Sequence, residues 1–135
     1  MRASLLCLAI IGCTGPRYPK GISGARLAPD ERANVDARVA ATAECLHALG
    51  YRDLAPVERI RVEPTCWIDV PGYSRPQRGT VDHGAVRVGR CTRALQHEAT
   101  VIMLRGYHSH APDSPTILCE HAGPKPFACS CEEKS

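Results

Sequence analysis

The sequence predicts an α+β domain built as helix, small β-sheet and helix, and stapled by disulfides. Two segments carry apolar residues at helical spacing, 35–49 and 95–104, and between them lie short runs that alternate polar and apolar residues. Cysteines at 45, 66, 91 and 119 are spread over the same stretch. Helices set around a run of strands, with no repeating strand-helix unit, point to the α+β class.

The first helix is expected to start at Asp30, which can cap it, with Glu31 placed favourably near the positive end of the helix dipole. Val35, Val39, Thr42/Ala43, Leu46 and Leu49 then form its apolar stripe, and Gly50 ends it. Glu58 to Glu63 alternates, as does Cys66 to Val70 beyond Pro64 and Thr65, and both read as short strands. Residues 71–79 read as a polar loop, and Ala85 to Val88 is a further strand after the turn signal Asp82-His83-Gly84. A second helix is expected from Thr92 through Arg105, closed by Gly106, with Leu95, Ala99 and Ile102 on one stripe. The β-branched run Thr100-Val101-Ile102 leaves a buried strand as the alternative there. A loop rich in histidine (107–115), a short apolar piece (116–119) and a Pro/Cys-rich tail follow.

The N-terminus has a different character. Arg2 is followed by the apolar run Leu5 to Ile11 and then Gly12-Cys13, the layout of a short signal peptide. The run is too short for a membrane-spanning helix, which needs about 20 residues. Ile10-Ile11-Gly12-Cys13 resembles the lipobox of bacterial lipoproteins. That resemblance implies cleavage before Cys13, lipid on Cys13, and export to the bacterial cell envelope with the membrane itself as a partner. Thr14, where an Asp would favour the inner membrane, implies the outer membrane in a Gram-negative cell. The expected organisation is a signal peptide over 1–12, lipidated Cys13 with a flexible Gly/Pro-punctuated tether over 13–29, one domain over 30–121, and the tail over 122–135.

Loss of residues 1–12 leaves 123 residues, enough for one core, and a net charge of +2 from 16 basic and 14 acidic side chains. The arginines are interspersed with acids and aromatic residues are few, so no nucleic-acid partner is expected. Arg75, Arg78, Arg87, Arg90 and Arg93 would make a basic face toward anionic lipid or polysaccharide if the fold gathered them. Cys45, Cys66, Cys91, Cys119, Cys129 and Cys131 remain after export, an even set that reads as up to three disulfides with the pairing open. A thiolate zinc cluster would want C-x-x-C pairs, and the one close pair is Cys129-Ser130-Cys131.

His97-Glu98 near the start of the second helix, preceded by Leu95-Gln96 and by a small sheet, resembles the core of the HExxH zinc metallopeptidases, and so the chain resembles small zincin-like lipoproteins. The resemblance implies His97 as a metal ligand and Glu98 as general base. It also requires a second ligand one turn on, and that position is Val101, which has no lone pair. A degenerate, non-catalytic domain that binds an envelope protein or polysaccharide, without cofactor, is therefore the leading expectation. The alternative is an active zinc hydrolase. His108 and His110 alternate, so an extended segment would project both rings to one side, with His97, His83, Asp113 or His121 as a third ligand. A small structural lipoprotein unrelated to zincins, with these histidines merely solvated, is the remaining reading. Trp67 and Tyr73 read as core or loop anchors.

Overall fold

The computed structural model describes residues 21–24, 26–82, 84–90 and 92–126. The expected signal peptide, Cys13, His83, Cys91, Cys129 and Cys131 lie outside the described residues. In chain order the elements are β1 (Gly21–Gly24), α1 (Pro29–Ala48), β2 (Arg59–Glu63), β3 (Gly79–Asp82), β4 (Ala85–Gly89), α2 (Ala94–Met103) and α3 (Pro115–Leu118). The four strands form one sheet in the order β1-β2-β4-β3. β1, β2 and β4 are parallel, and β3 is an antiparallel edge strand on β4. The class is α+β, as the sequence predicts.

Alternation along the strands decides the layering. Ile60 and Val62 on β2 and Val86 and Val88 on β4 are buried, and the register pairs Ile60 with Val86 and Val62 with Val88. The intervening Arg61 and Arg87 point the other way, where both guanidinium groups reach the Glu63 carboxylate at 2.8 Å. One face of the sheet is therefore apolar and the other polar, so both long helices pack on the apolar face. Val35, Val39 and Leu46 of α1 and Leu95, Ala99 and Met103 of α2 complete the core.

Several expectations need correction. Gly21–Gly24 belongs to the sheet, pairing with Arg59–Val62, so the segment expected as tether up to residue 29 already contributes a strand. α1 begins at Pro29, whose missing N–H is harmless in a first turn, and Ala28 rather than Asp30 is its cap residue. Glu31 completes that end by accepting the Ala28 N–H at 3.2 Å. Leu49, the last residue of the expected stripe, is 44 % exposed. The segment 66–70 is not a strand. Its one ladder-like contact is the bridge of Ile68 to Gln77, and the Thr65 hydroxyl donates to the Trp67 carbonyl at 2.6 Å, a turn that draws the chain off the sheet. The strand that does form, β3, lies at the end of the expected loop. The apolar piece at 116–119 is mostly the short helix α3.

α2 is a helix despite its β-branched residues, because the buried Thr100 hydroxyl donates to the Gln96 carbonyl at 2.9 Å and so leaves no polar atom unsatisfied. It is shorter than expected, and Thr92 bonds to the Gly89 carbonyl rather than capping it. The tail is docked as far as described: Ala122 accepts from the Gln96 amide at 3.0 Å and Lys125 from the Asn34 amide at 2.8 Å.

Cys45, near the end of α1, is bonded to Cys119, just past α3, with Cα atoms 5.8 Å apart. Cys66 is also disulfide-bonded, to a residue outside the described set. A bridge closing 74 residues removes chain entropy worth about 4 kcal/mol from the unfolded state. The double variant Cys45→Ala/Cys119→Ala is expected to lose roughly 2–4 kcal/mol in urea denaturation, with the helical circular dichroism of α1 retained at low denaturant.

Candidate metal centre

The site is assembled by a reversal of the chain at the end of α2. The Arg105 N–H donates to the Ile102 carbonyl at 2.9 Å and the Gly106 N–H to the Val101 carbonyl at 2.7 Å, the paired bonds of a Schellman ending. Both residues take positive φ, 55° at Arg105 and 94° at Gly106. Glycine accepts that conformation freely. Arginine does not, and here its guanidinium is held against the Asp53 carbonyl and carboxylate. The reversal sends residues 107–110 back along α2 toward His97.

Two buried hydroxyls then fix the returning strand. The Ser109 carbonyl accepts from Ser114 Oγ at 3.1 Å and from Thr116 Oγ1, while the Ser109 hydroxyl accepts the Ala111 N–H at 3.1 Å. With Ser109 held through its backbone, His108 and His110 on either side are turned to the same face. His97 Nε2 lies 2.9 Å from His108 Nε2. The ring centroids of His97 and His110 are 5.2 Å apart, and those of His108 and His110 4.7 Å. One ligand nitrogen from each of the three residues falls within 4.8 Å of the others.

This set fits a metal ion. Tetrahedral zinc with Zn–N bonds of about 2.0–2.1 Å needs its nitrogens roughly 3.3 Å apart, which these rings approach with small rotations. Burial is the largest influence holding the His97 pKa below its ordinary value, followed by His108 and His110; Glu120 and a hydrogen bond to the Thr116 backbone pull it up. A neutral imidazole with a free nitrogen pair is the form that binds metal, and a backbone partner on the ring is the usual way of orienting such a ligand. The missing donor at Val101 is thus made up from the far side of the chain reversal. Asp113 is exposed and His121 Nδ1 lies 2.7 Å from the Arg93 guanidinium, so neither joins the group.

Glu98 follows His97 on α2 and lines the same groove, a space of about 550 Å³ between α2, β3 and the 67–78 loop. Burial pushes its carboxyl up to about 7. The close approach that shields it depends on Gly79 of β3: a Cβ there would lie 3.0 Å from both Ala94 Cβ and Glu98 Cγ. Thr80 and Val81 continue the wall, and the outer edge of β3 has no strand partner among the described residues. An extended chain could add to it by backbone hydrogen bonds.

Sequence reasoning missed most of the groove. Trp67 and Tyr73, expected as core or loop anchors, line it; Arg78 stacks over Trp67 at 4.8 Å, and Arg93 and Glu120 stand beside the histidines. The arginines do not form one basic face: Arg87 is paired with Glu63 and Arg90 with Glu31 at 2.9 Å. α2 itself is seated by Arg38, which is buried on α1 and donates to the Thr92 carbonyl at 2.8 Å and to the Gln96 side chain at 2.9 Å. Burial, with Arg93 nearby, lowers its pKa to about 10, so it stays charged at neutral pH. Position 38 falls on the buried stripe by its spacing from Val35 and Thr42, and only its residue type hid it.

No protein-family model, curated protein or solved structure matches the chain.

Glu98 gives the metal-free protein a distinctive pH response. The folded chain holds a proton on Glu98 that the unfolded chain has released, so stability falls as pH rises from about 4.5 to about 7. His97 acts oppositely: its lowered pKa contributes stability above 6.5 that is lost as pH falls through the depressed value. Denaturation of the metal-free Glu98→Gln variant should show a gain of roughly 1–3 kcal/mol over the parent at pH 8 and none at pH 4.5.

Proposed function

We propose that this protein is a bacterial lipoprotein, exported and held to the cell envelope by lipid on Cys13, whose domain is a zinc-dependent hydrolase acting on extended peptide. The observation that carries the hydrolase reading is the convergence of His97, His108 and His110 beside Glu98, whose carboxyl is pushed up to about 7. On sequence grounds Val101 favours a degenerate domain that binds without cutting. His108 and His110 supply two donors that do not depend on that position, and three protein ligands leave a coordination place for substrate.

His97, His108 and His110 would hold the ion, which supplies Lewis acidity at the scissile carbonyl and makes water easier to deprotonate. Glu98, as carboxylate, takes a proton from the attacking water as the new C–O bond forms. It then returns that proton to the leaving amine as the C–N bond breaks, giving a carboxylic acid and an amine, which part as carboxylate and ammonium once the acid's proton passes to the amine. A half-buried carboxyl that lines the same groove as the three histidines is placed for both halves of that exchange. The backbone of Thr80 and Val81 on β3, an edge strand of the sheet among the described residues, would align the substrate, while Trp67 and Tyr73 line the same groove. The zincin resemblance of Leu95-Gln96-His97-Glu98 agrees with these roles for His97 and Glu98.

Purified protein expressed with an oxidising export route should bind about one zinc ion per chain by elemental mass spectrometry, and His97→Ala, His108→Ala or His110→Ala should each weaken binding by at least tenfold. Glu98→Gln should keep the metal and lower peptide hydrolysis by a hundredfold or more. Stoichiometric zinc without cleavage of any peptide in a degenerate library would return the domain to the binding reading; no zinc at micromolar concentration would remove the hydrolase. The anchor is tested separately. Cys13→Ala should abolish incorporation of labelled palmitate and shift the protein from the membrane to the soluble fraction.

A further inference from the structure

The parallel strands begin at a common end of the domain, since Gly21, Arg59 and Ala85 are register mates. Both long helices finish at that end. The Gly21 N–H donates to the Glu58 carbonyl at 3.1 Å, and the Ala55 N–H, in the chain leaving α1, donates to the Met103 carbonyl at 2.9 Å. Three exposed large apolar side chains gather here, Leu49 at 44 %, Tyr51 at 40 % and Tyr107 at 48 %, whereas the more open Tyr73 and Leu118 stand singly elsewhere. Tyr51 and Tyr107 flank a cleft of about 390 Å³ floored by Leu54, Met103 and Leu104.

This is also where the N-terminal segment joins the sheet. Seven residues separate Cys13 from Gly21. Whatever their conformation, eight steps of at most about 3.5 Å limit their reach to about 28 Å. A folded domain of this size is about 33 Å across. Lipid on Cys13 would therefore keep this end close to the bilayer.

We infer that the end of the domain bearing Leu49, Tyr51 and Tyr107 seats on the lipid interface of the membrane that holds Cys13, an inference that rests on the lipoprotein reading above. Tyrosine suits that layer, its ring among acyl chains and its hydroxyl at the headgroups. The attraction is apolar rather than electrostatic: Arg105 is already paired with Asp53, and the acidic Glu58 and Asp82 share this end with Arg59. The far ends of β2 and β4 carry the other pole of the molecule. Trp67, Tyr73 and Arg93 lie there, so that part of the groove is held away from the bilayer.

The sole tryptophan, Trp67, is an internal reference at the distal pole. Full-length lipidated protein in vesicles of phosphatidylcholine brominated on its acyl chains should show little quenching of Trp67, whereas the tryptophans of Tyr51→Trp and Tyr107→Trp should lose about half of their fluorescence or more. Replacing a third of the lipid with phosphatidylglycerol should change that quenching less than twofold. Absent quenching at 51 and 107, or quenching equal to that of Trp67, in protein whose Cys13 lipid is confirmed by mass spectrometry would overturn the seating while leaving the anchor intact. Protein that carries no lipid on Cys13 and stays out of the vesicles would overturn both.

Discussion

The bond between Cys45 and Cys119 is the constraint on which the site depends. It fixes α3 to the end of α1, and α3 carries the buried Thr116. From Thr116 the restraint passes to the Ser109 carbonyl and so to His108 and His110, and the Thr116 backbone also reaches the His97 ring. A loop of polar residues at a helix end would ordinarily sample many conformations, since nothing apolar holds it. Here a covalent tie and two hydroxyls stand in for a core. The three imidazoles are thereby held together, which would reduce the ordering that binding an ion must impose. The same dependence links the centre to an oxidising compartment, because a reduced chain lacks the tie that holds α3.

Arg38 serves the other half of the site. A buried cation is costly unless its donors find oxygens; one Arg38 guanidinium nitrogen donates to both Thr92 and Gln96, while its buried Nε has no hydrogen-bond partner among the described residues. Those contacts dock the first turn of α2 against α1 and set the rotation that presents His97 and Glu98 to the groove. Gly79 admits the helix on the opposite side, where a Cβ would sit only 3.0 Å from Ala94 Cβ and Glu98 Cγ and would push α2 outward. α2 is thus positioned by a long polar reach from one neighbour and by the absence of a side chain on the other.

The elements that could be read from the sequence were those whose periodicity is set by burial on one face. α1, β2, β4 and α2 all have that property, and their apolar stripes place them within a few residues. β1 and β3 carry few apolar residues, two glycines in the first and one in the second, and they exist because a parallel or antiparallel neighbour offers them hydrogen bonds. The false strand at 66–70 has the right alternation but no such neighbour. The candidate site followed the same division. His97, Glu98, His108 and His110 are chemically conspicuous and could be named individually. Their convergence depends on a left-handed Arg105, which composition gives no reason to expect. The disulfide partner of Cys45 was equally hidden, being decided by where α3 docks.

The alternation of His108, Ser109 and His110 has a consequence for how this centre can change over time. The two rings share a face because one residue separates them, and the intervening carbonyl is clamped from behind by Ser114 and Thr116. Exchanging a neighbour such as Tyr107 or Ala111 leaves that parity untouched. Gaining a single residue between His108 and His110 does not: with Ser109 still clamped, one of the two rings would swing to the back while another side chain took its place. The loop can vary in composition while its length is held by the geometry of one peptide unit.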